Sequence, residues 1–137
     1  MNGDKKSKQV IVIRKDLKMR AGKAVAQGAH ASLKVFTDKM TLYKDSFLSK
    51  KISSMFPIAN KAEKNWFEGS FTKICVYVNS EEELLEIYNK AKEASIQCSL
   101  VKDAGRTEFK EPTFTAVAVG PDEDEKIDKI TGDLPLF

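Results

Sequence analysis

Apolar residues fall along the chain in two rhythms. Short β-branched or aromatic runs, QVIVIR (9–14), FTKICVYV (71–78), IQCSLVK (96–102) and TFTAVAVG (113–120), read as four strands. The first is unbroken, as expected of a strand buried on both faces. Between the runs the spacing turns helical. From Ala21 into the high thirties, Val25, Ala29, Leu33 and Phe36 fall within an arc of about 80° and are expected to form the core stripe. Lys23, Gln27, His30 and Lys34 fall within about 60° on another side. A second helix is expected to follow a cap at Asn79 or Ser80, with three glutamates in its first turn and Leu84, Leu85, Ile87, Tyr88 and Ala91 along it to about Ala94. PDEDEKIDKITG reads as a last helix, with Pro121 at its start and Gly132 at its end, and LPLF is expected to pack back on the body. Residues 1–8 are polar and read as a frayed lead-in. Between 38 and 69, the spacing of Leu42, Phe47, Leu48 and Ile52 suggests helix, Pro57 a break, and Trp66, Phe67 and Gly69 the approach to the next strand.

The order is β-α-β-α-β-β-α. Strands separated by helices imply parallel pairing with right-handed crossovers. The ten-residue link between the third and fourth strands carries no helical pattern and suits an antiparallel return. The expected fold is a three-layer α/β/α arrangement around a mixed four-stranded sheet, one domain over 1–137, with 38–69 as an extended helical insertion.

Composition narrows the class. The chain has 137 residues, 42% hydrophobic and 31% charged, which suits a globular domain. No apolar run approaches membrane-spanning length, and no secretory signal is visible, so a cytoplasmic location without membrane attachment is expected. Cys75 and Cys98 lie inside strand-like runs and read as buried thiols; with one histidine they cannot form the usual four-ligand zinc site, so no metal is expected. Net charge is +3 but uneven: residues 1–70 hold 15 basic and 6 acidic side chains, residues 71–137 hold 8 and 14. A first half at +9 suggests a basic face able to meet phosphate, or simply a solvated lysine-rich surface.

Candidate chemistry converges at one place. Ligand sites in open α/β sheets form beyond the carboxyl ends of parallel strands. The first strand ends at Arg14, with Lys23 in the first turn of the next helix. The third ends at Lys102, followed by Asp103 in the loop DAGRTEF. If both strands are parallel, Lys23 and Asp103 share one sheet edge, with Thr107 near and Thr113 and Thr115 on the returning strand. A carboxylate beside an ammonium, with hydroxyls close by, can orient or activate a water. Asp103 equally suits a turn before Ala-Gly, Arg106 suits either phosphate or a carboxylate partner, and the His30 stripe suits a solvated helix face. Phosphate loops, dinucleotide fingerprints and nucleophile elbows are absent.

Four blocks in order, QVIVIRKDLKMRAGKAVAQGAHA, SLVKDAGRTEF, TFTAVAVGP and IDKITGDLPLF, resemble the archaeal and eukaryotic type of peptidyl-tRNA hydrolase. The resemblance implies hydrolysis of the ester between a peptide and the ribose of tRNA, without metal or cofactor, by a protein that is often a homodimer. It places Lys23, Asp103, Thr107 and Thr115 as catalytic residues and Gln27 and His30 along the pocket. Arg106, Lys18, Arg20 and Lys34 are expected to bind the tRNA substrate. The segment 38–69 is longer than usual for that family. A non-catalytic RNA- or protein-binding adaptor on the same fold is the alternative.

Overall fold

The computed structural model describes residues 5–44, 58–106 and 108–137. Strand β1 (Ser7–Arg14) leads through a one-turn 3-10 segment (Lys15–Leu17) into helix α1 (Ala21–Lys44). Helix α2 (Lys61–Glu68), β2 (Lys73–Val78), α3 (Glu81–Glu93), β3 (Cys98–Asp103), β4 (Thr113–Glu123) and α4 (Asp124–Thr131) follow. The sheet order is β2-β1-β4-β3, with β1 and β2 parallel and β4 antiparallel to both β1 and β3. Strands β1, β2 and β3 therefore point the same way, and the mixed sheet expected from the sequence is present.

Alternation splits β1 and β4 between two cores. Val10, Val12, Val117 and Val119 pack with Leu84, Ile87 and Ala91 of α3 and Ile127 of α4. Ile13, Ala116 and Ala118 pack with Ala31, Val35 and Phe36 of α1 and Trp66 of α2. Strand period two thus feeds helices on both faces.

Helix α1 presents a different face to the sheet from the one its hydrophobicity predicts. Val25 is 72% and Leu33 62% exposed, and Ala29 is also exposed; only Phe36 of the expected core stripe is buried. The buried positions are Ala24, Gln27, Gly28, Ala31 and Val35. Size explains the choice. The sheet offers alanines and Ser99 beneath the helix, and the Ser99 hydroxyl donates to the Ala31 carbonyl at 2.6 Å. A Cβ on Gly28 would already meet Ile11 Cγ2 at 3.5 Å. Small residues take the positions nearest the sheet at Ala24, Gly28 and Ala31, and Val25 and Leu33 turn outward.

Three other boundaries differ. Ser7 and Lys8 belong to β1 rather than to a frayed lead-in, and Ser7 is buried. Trp66 and Phe67 lie within α2 rather than after a helix. Asn60 accepts from the Glu63 amide at 2.8 Å, and the Glu63 carboxylate accepts from Ala59 N and Lys39 Nζ, both at 2.6 Å. This is a reciprocal cap that composition alone did not reveal. Pro121 sits in β4, which continues to Glu123, so it does not open α4. Of the helix expected around Leu42 to Ile52, α1 covers the portion to Lys44; Phe47, Leu48, Ile52 and Pro57 lie outside the described residues. The Ser80 cap of α3 and Gly132 at the end of α4 are as expected. LPLF does pack back: Leu136 bridges Val76, and Phe137 N donates to Cys75 O at 3.0 Å.

One irregularity matters for the site. Val101 pairs with Ala116 but Lys102 pairs with Phe114, so Thr115 is an extra residue in β4. Such a bulge re-aims a side chain. Phe114 stays with the α3 core, while Thr115 turns to the α1 side.

Candidate active site

The carboxyl ends of β1 and β3 lie at one edge of the sheet, and the chain turns sharply after each. After β1, Lys18 adopts φ +53°, and its N–H donates to Lys15 O at 3.1 Å, which delivers the chain to the start of α1. Lys23 follows in the first turn, where a cation opposes the helix dipole. Asp103, the last residue of β3, supplies the counter-charge: Lys23 Nζ lies 2.6 Å from Asp103 Oδ1. Both side chains are largely buried, 14% and 11% exposed.

Each oxygen of Asp103 has its own task. Oδ2 accepts from Gly105 N at 2.9 Å and closes the turn. Gly105 has φ +81°, and a Cβ there would lie 2.5 Å from the Glu111 carbonyl carbon. Oδ1 receives Lys23 and, at 3.4 Å, the amide of Gln27. One side chain thus closes the turn and meets both Lys23 and Gln27. The Lys23 hydrogen bond, the Gly105 amide and the charges of Lys23 and His30 hold its carboxyl below the ordinary value of 3.8, against the opposing effect of burial.

Gln27 extends the network into the core. Its Oε1 accepts the Thr115 hydroxyl at 2.5 Å while its Nε2 points to Asp103. Thr115 is fully buried. It therefore meets Gln27 rather than the open cleft. The hydroxyl fixes which end of the Gln27 amide faces Asp103, because an acceptor must point at a donor. Thr115→Val is expected to leave Gln27 Oε1 unpaired, costing about 1–3 kcal/mol of stability and lowering kcat with little change in KM. Urea unfolding and steady-state kinetics check this; unchanged values in both would remove the positioning role.

The remaining candidates are spread around this centre. His30 is exposed and within electrostatic reach of Asp103. Arg106 is exposed and has no carboxylate partner among the described residues. Lys18 and Arg20 are exposed at the same edge; Arg20 Nε lies 4.0 Å from Glu108. Lys34 is held by Asp38 of its own helix, at 2.9 Å to both oxygens, and is not drawn to the cluster. Thr107 lies outside the described residues. Sequence reasoning missed Phe109, whose ring lies 5.5 Å from Lys23 Nζ and shields the ammonium from one side. Its only signal is an aromatic residue in an otherwise polar loop. Cys75 and Cys98 are free, partly buried thiols whose pKa values burial pushes up, which suits inert packing.

Residues 7–137 match the family model described as peptidyl-tRNA hydrolase PTH2. A peptidyl-tRNA hydrolase of Methanocaldococcus jannaschii is 45% identical over 130 residues, 95% of this chain and 99% of the relative. One from Methanothermobacter thermautotrophicus is 47% identical with the same coverage. One from Methanococcus maripaludis is 43% identical over 129 residues, 94% of this chain and 97% of the relative.

Proposed function

The chain belongs to the peptidyl-tRNA hydrolase PTH2 family and is a carboxylic ester hydrolase, and from that premise we propose that Lys23, Asp103, Gln27 and Thr115 carry the reaction at the edge where β1 and β3 end. The observation that carries the assignment is the 2.6 Å contact between Lys23 and Asp103, two residues 80 apart in sequence, in a largely buried position.

Water attacks the ester carbonyl carbon that joins the peptide to the terminal ribose. The tetrahedral intermediate collapses with release of the ribose oxygen, which takes a proton from solvent water and leaves as a hydroxyl, and the peptide departs as a carboxylate. A carboxyl held below its ordinary pKa is a weak base. Asp103 therefore acts chiefly as a fixed acceptor that orients the water, and bulk water completes proton removal. The Lys23 ammonium stabilises the developing oxyanion. Gln27 keeps Asp103 Oδ1 in place, Thr115 keeps Gln27 in place, and Thr107 positions water or carbonyl. Lys18, Arg20 and Arg106 meet phosphates at the rim, where they set affinity rather than chemistry. His30 assists through its proximity to Asp103. Lys34 adds to the basic surface away from the centre.

The reading includes a cytoplasmic protein, independent of metal, as one domain that pairs with a second copy. The exposed Val25, Ala29 and Leu33 give such a contact an apolar face. None of the described helices is long and apolar enough to cross a membrane.

The test is release of free tRNA from an N-blocked aminoacyl-tRNA, with and without EDTA. Turnover at equal rates is the expected result. Binding without turnover would move the chain to the adaptor reading, and loss on chelation would end the metal-independent one. The pH profile tests Asp103 separately. Its folded pKa is depressed, so the stabilisation from its ionised form is present above the ordinary aspartate value and is lost only as pH falls through the lower, folded value. The acidic limb of kcat/KM is expected below 3.8, and Lys23→Met is expected to move it upward. An acidic limb at 5 or above that Lys23→Met does not move would contradict the assignment.

A further inference from the structure

On the same face of the sheet as the proposed centre lies a cavity of ≈ 350 Å³ lined by Ile13, Arg14, Lys15, Lys18, Met19 and Phe137. Ile13 and Cys75 belong to the α1-side core, and Tyr77 shares their face by strand alternation. The cavity thus opens over the ends of β1 and β2. Asp103 lies two strand spacings from β1 across the sheet, about 10 Å, and four from Phe137, whose backbone pairs with the outer edge of β2, about 20 Å.

The lining combines two chemistries. Phe137 is 54% exposed, yet its backbone is pinned to β2: its N–H donates to Cys75 O at 3.0 Å, and Tyr77 N donates to Pro135 O at 3.1 Å. Its ring meets Tyr77 edge-on, with centroids 6.4 Å apart and planes at 74°. On the same tyrosine, Lys15 Nζ lies 4.3 Å from the ring centroid. Lys18 stands at the rim in its left-handed turn, exposed. Arg14 is already committed to Asp16 and to the Phe114 carbonyl. An exposed aromatic ring on a fixed backbone, flanked by two cations, is the combination that holds an unpaired nucleotide: the ring takes the base face and the ammonium groups take the phosphates.

We propose that the cavity bounded by Phe137, Lys15 and Lys18 binds unpaired nucleotides of the tRNA 3′ end, upstream of the terminal ribose whose ester is cleaved. The inference rests on the Lys23–Asp103 assignment above. The separation, about 10 Å from the β1 side of the cavity and about 20 Å from the Phe137 backbone, suits a short run of unpaired nucleotides leading from this cavity to the reacting ribose. Stacking is tolerant of base identity, so the cavity gives affinity for any tRNA.

Binding is read first without turnover, using a fluorescently labelled RNA hairpin with a four-nucleotide unpaired 3′ overhang and the same hairpin blunt-ended. The intact protein is expected to prefer the overhang. Phe137→Ala is expected to reduce that preference about tenfold, and Phe137→Trp to retain it. Replacing Lys15 and Lys18 together by alanine is expected to reduce the slope of log affinity against log salt by about 1.4. In kinetics with an N-blocked aminoacyl-tRNA and the corresponding aminoacyl-adenosine ester, Phe137→Ala is expected to lower the ratio of their kcat/KM values about tenfold. An unchanged preference in both assays, or an equal loss on both esters, overturns the proposal. If the overhang preference depends on Phe137 while no variant at Lys23 or Asp103 affects turnover, the cavity stands and the assignment of the reacting centre falls.

Discussion

Asp103→Asn is expected to lower kcat/KM for an N-blocked aminoacyl-tRNA by about 10²- to 10⁴-fold while the fold survives. Asparagine keeps the shape, and its carbonyl oxygen can still accept from Gly105 N, so the turn after β3 remains closed. The charge is lost. Lys23 then has no carboxylate at 2.6 Å, and the Gln27 amide faces a neutral group. The water loses its acceptor, and the ammonium loses the partner that fixes its position. Circular dichroism and urea unfolding establish that the variant is folded, and tRNA release gives the rate. Retention of activity within a few-fold of the parent would show that the Lys23–Asp103 pair is architectural and that the reaction occurs elsewhere.

Trp66→Ala is expected to reduce stability by about 3–5 kcal/mol, a large part of the 5–15 kcal/mol that holds a typical domain together. Trp66 is 1% exposed and joins α2 to the rest of the molecule. Its ring stacks on Phe36 at 5.8 Å and meets Phe67 and Phe71 at 5.0 and 4.4 Å. Its indole N–H donates to Thr72 O at 2.7 Å, just ahead of β2. Removing it opens a cavity in the α1-side core and unties the entry to the parallel strand. Denaturant unfolding measures the loss. A change below 1 kcal/mol would mean that α2 does not belong to the cooperative unit.

The strands and their directions were readable because alternation, turn residues and helix caps all act locally. Lys23 and Asp103 could be placed at one edge from strand direction alone, before any distance was known. The exposed side of α1 was not readable. Hydrophobicity ranks Leu33 above Ala31, but Ala24, Gly28 and Ala31 are the positions the helix turns to the sheet, and Leu33 faces outward. Burial of Gln27 escaped notice because its partners Asp103 and Thr115 come from distant strands. Pro121 resembled a helix start because its acidic neighbours do open α4, three residues later. Nothing in TFTAVAVG announces which residue is unpaired.

That unpaired residue has an evolutionary consequence. Thr115 adds nothing to the ladder, since its neighbours Phe114 and Ala116 already oppose Lys102 and Val101 in succession. A chain lacking this one position would regain uninterrupted pairing, with Phe114 and Ala116 on the faces they now occupy. Only the hydroxyl beneath Gln27 would be missing. Architecture and chemistry are thus carried by different residues of a single strand. A one-codon deletion here is expected to remove the hydroxyl that holds Gln27, and so to lower turnover, while leaving the pairing of β3 and β4 intact.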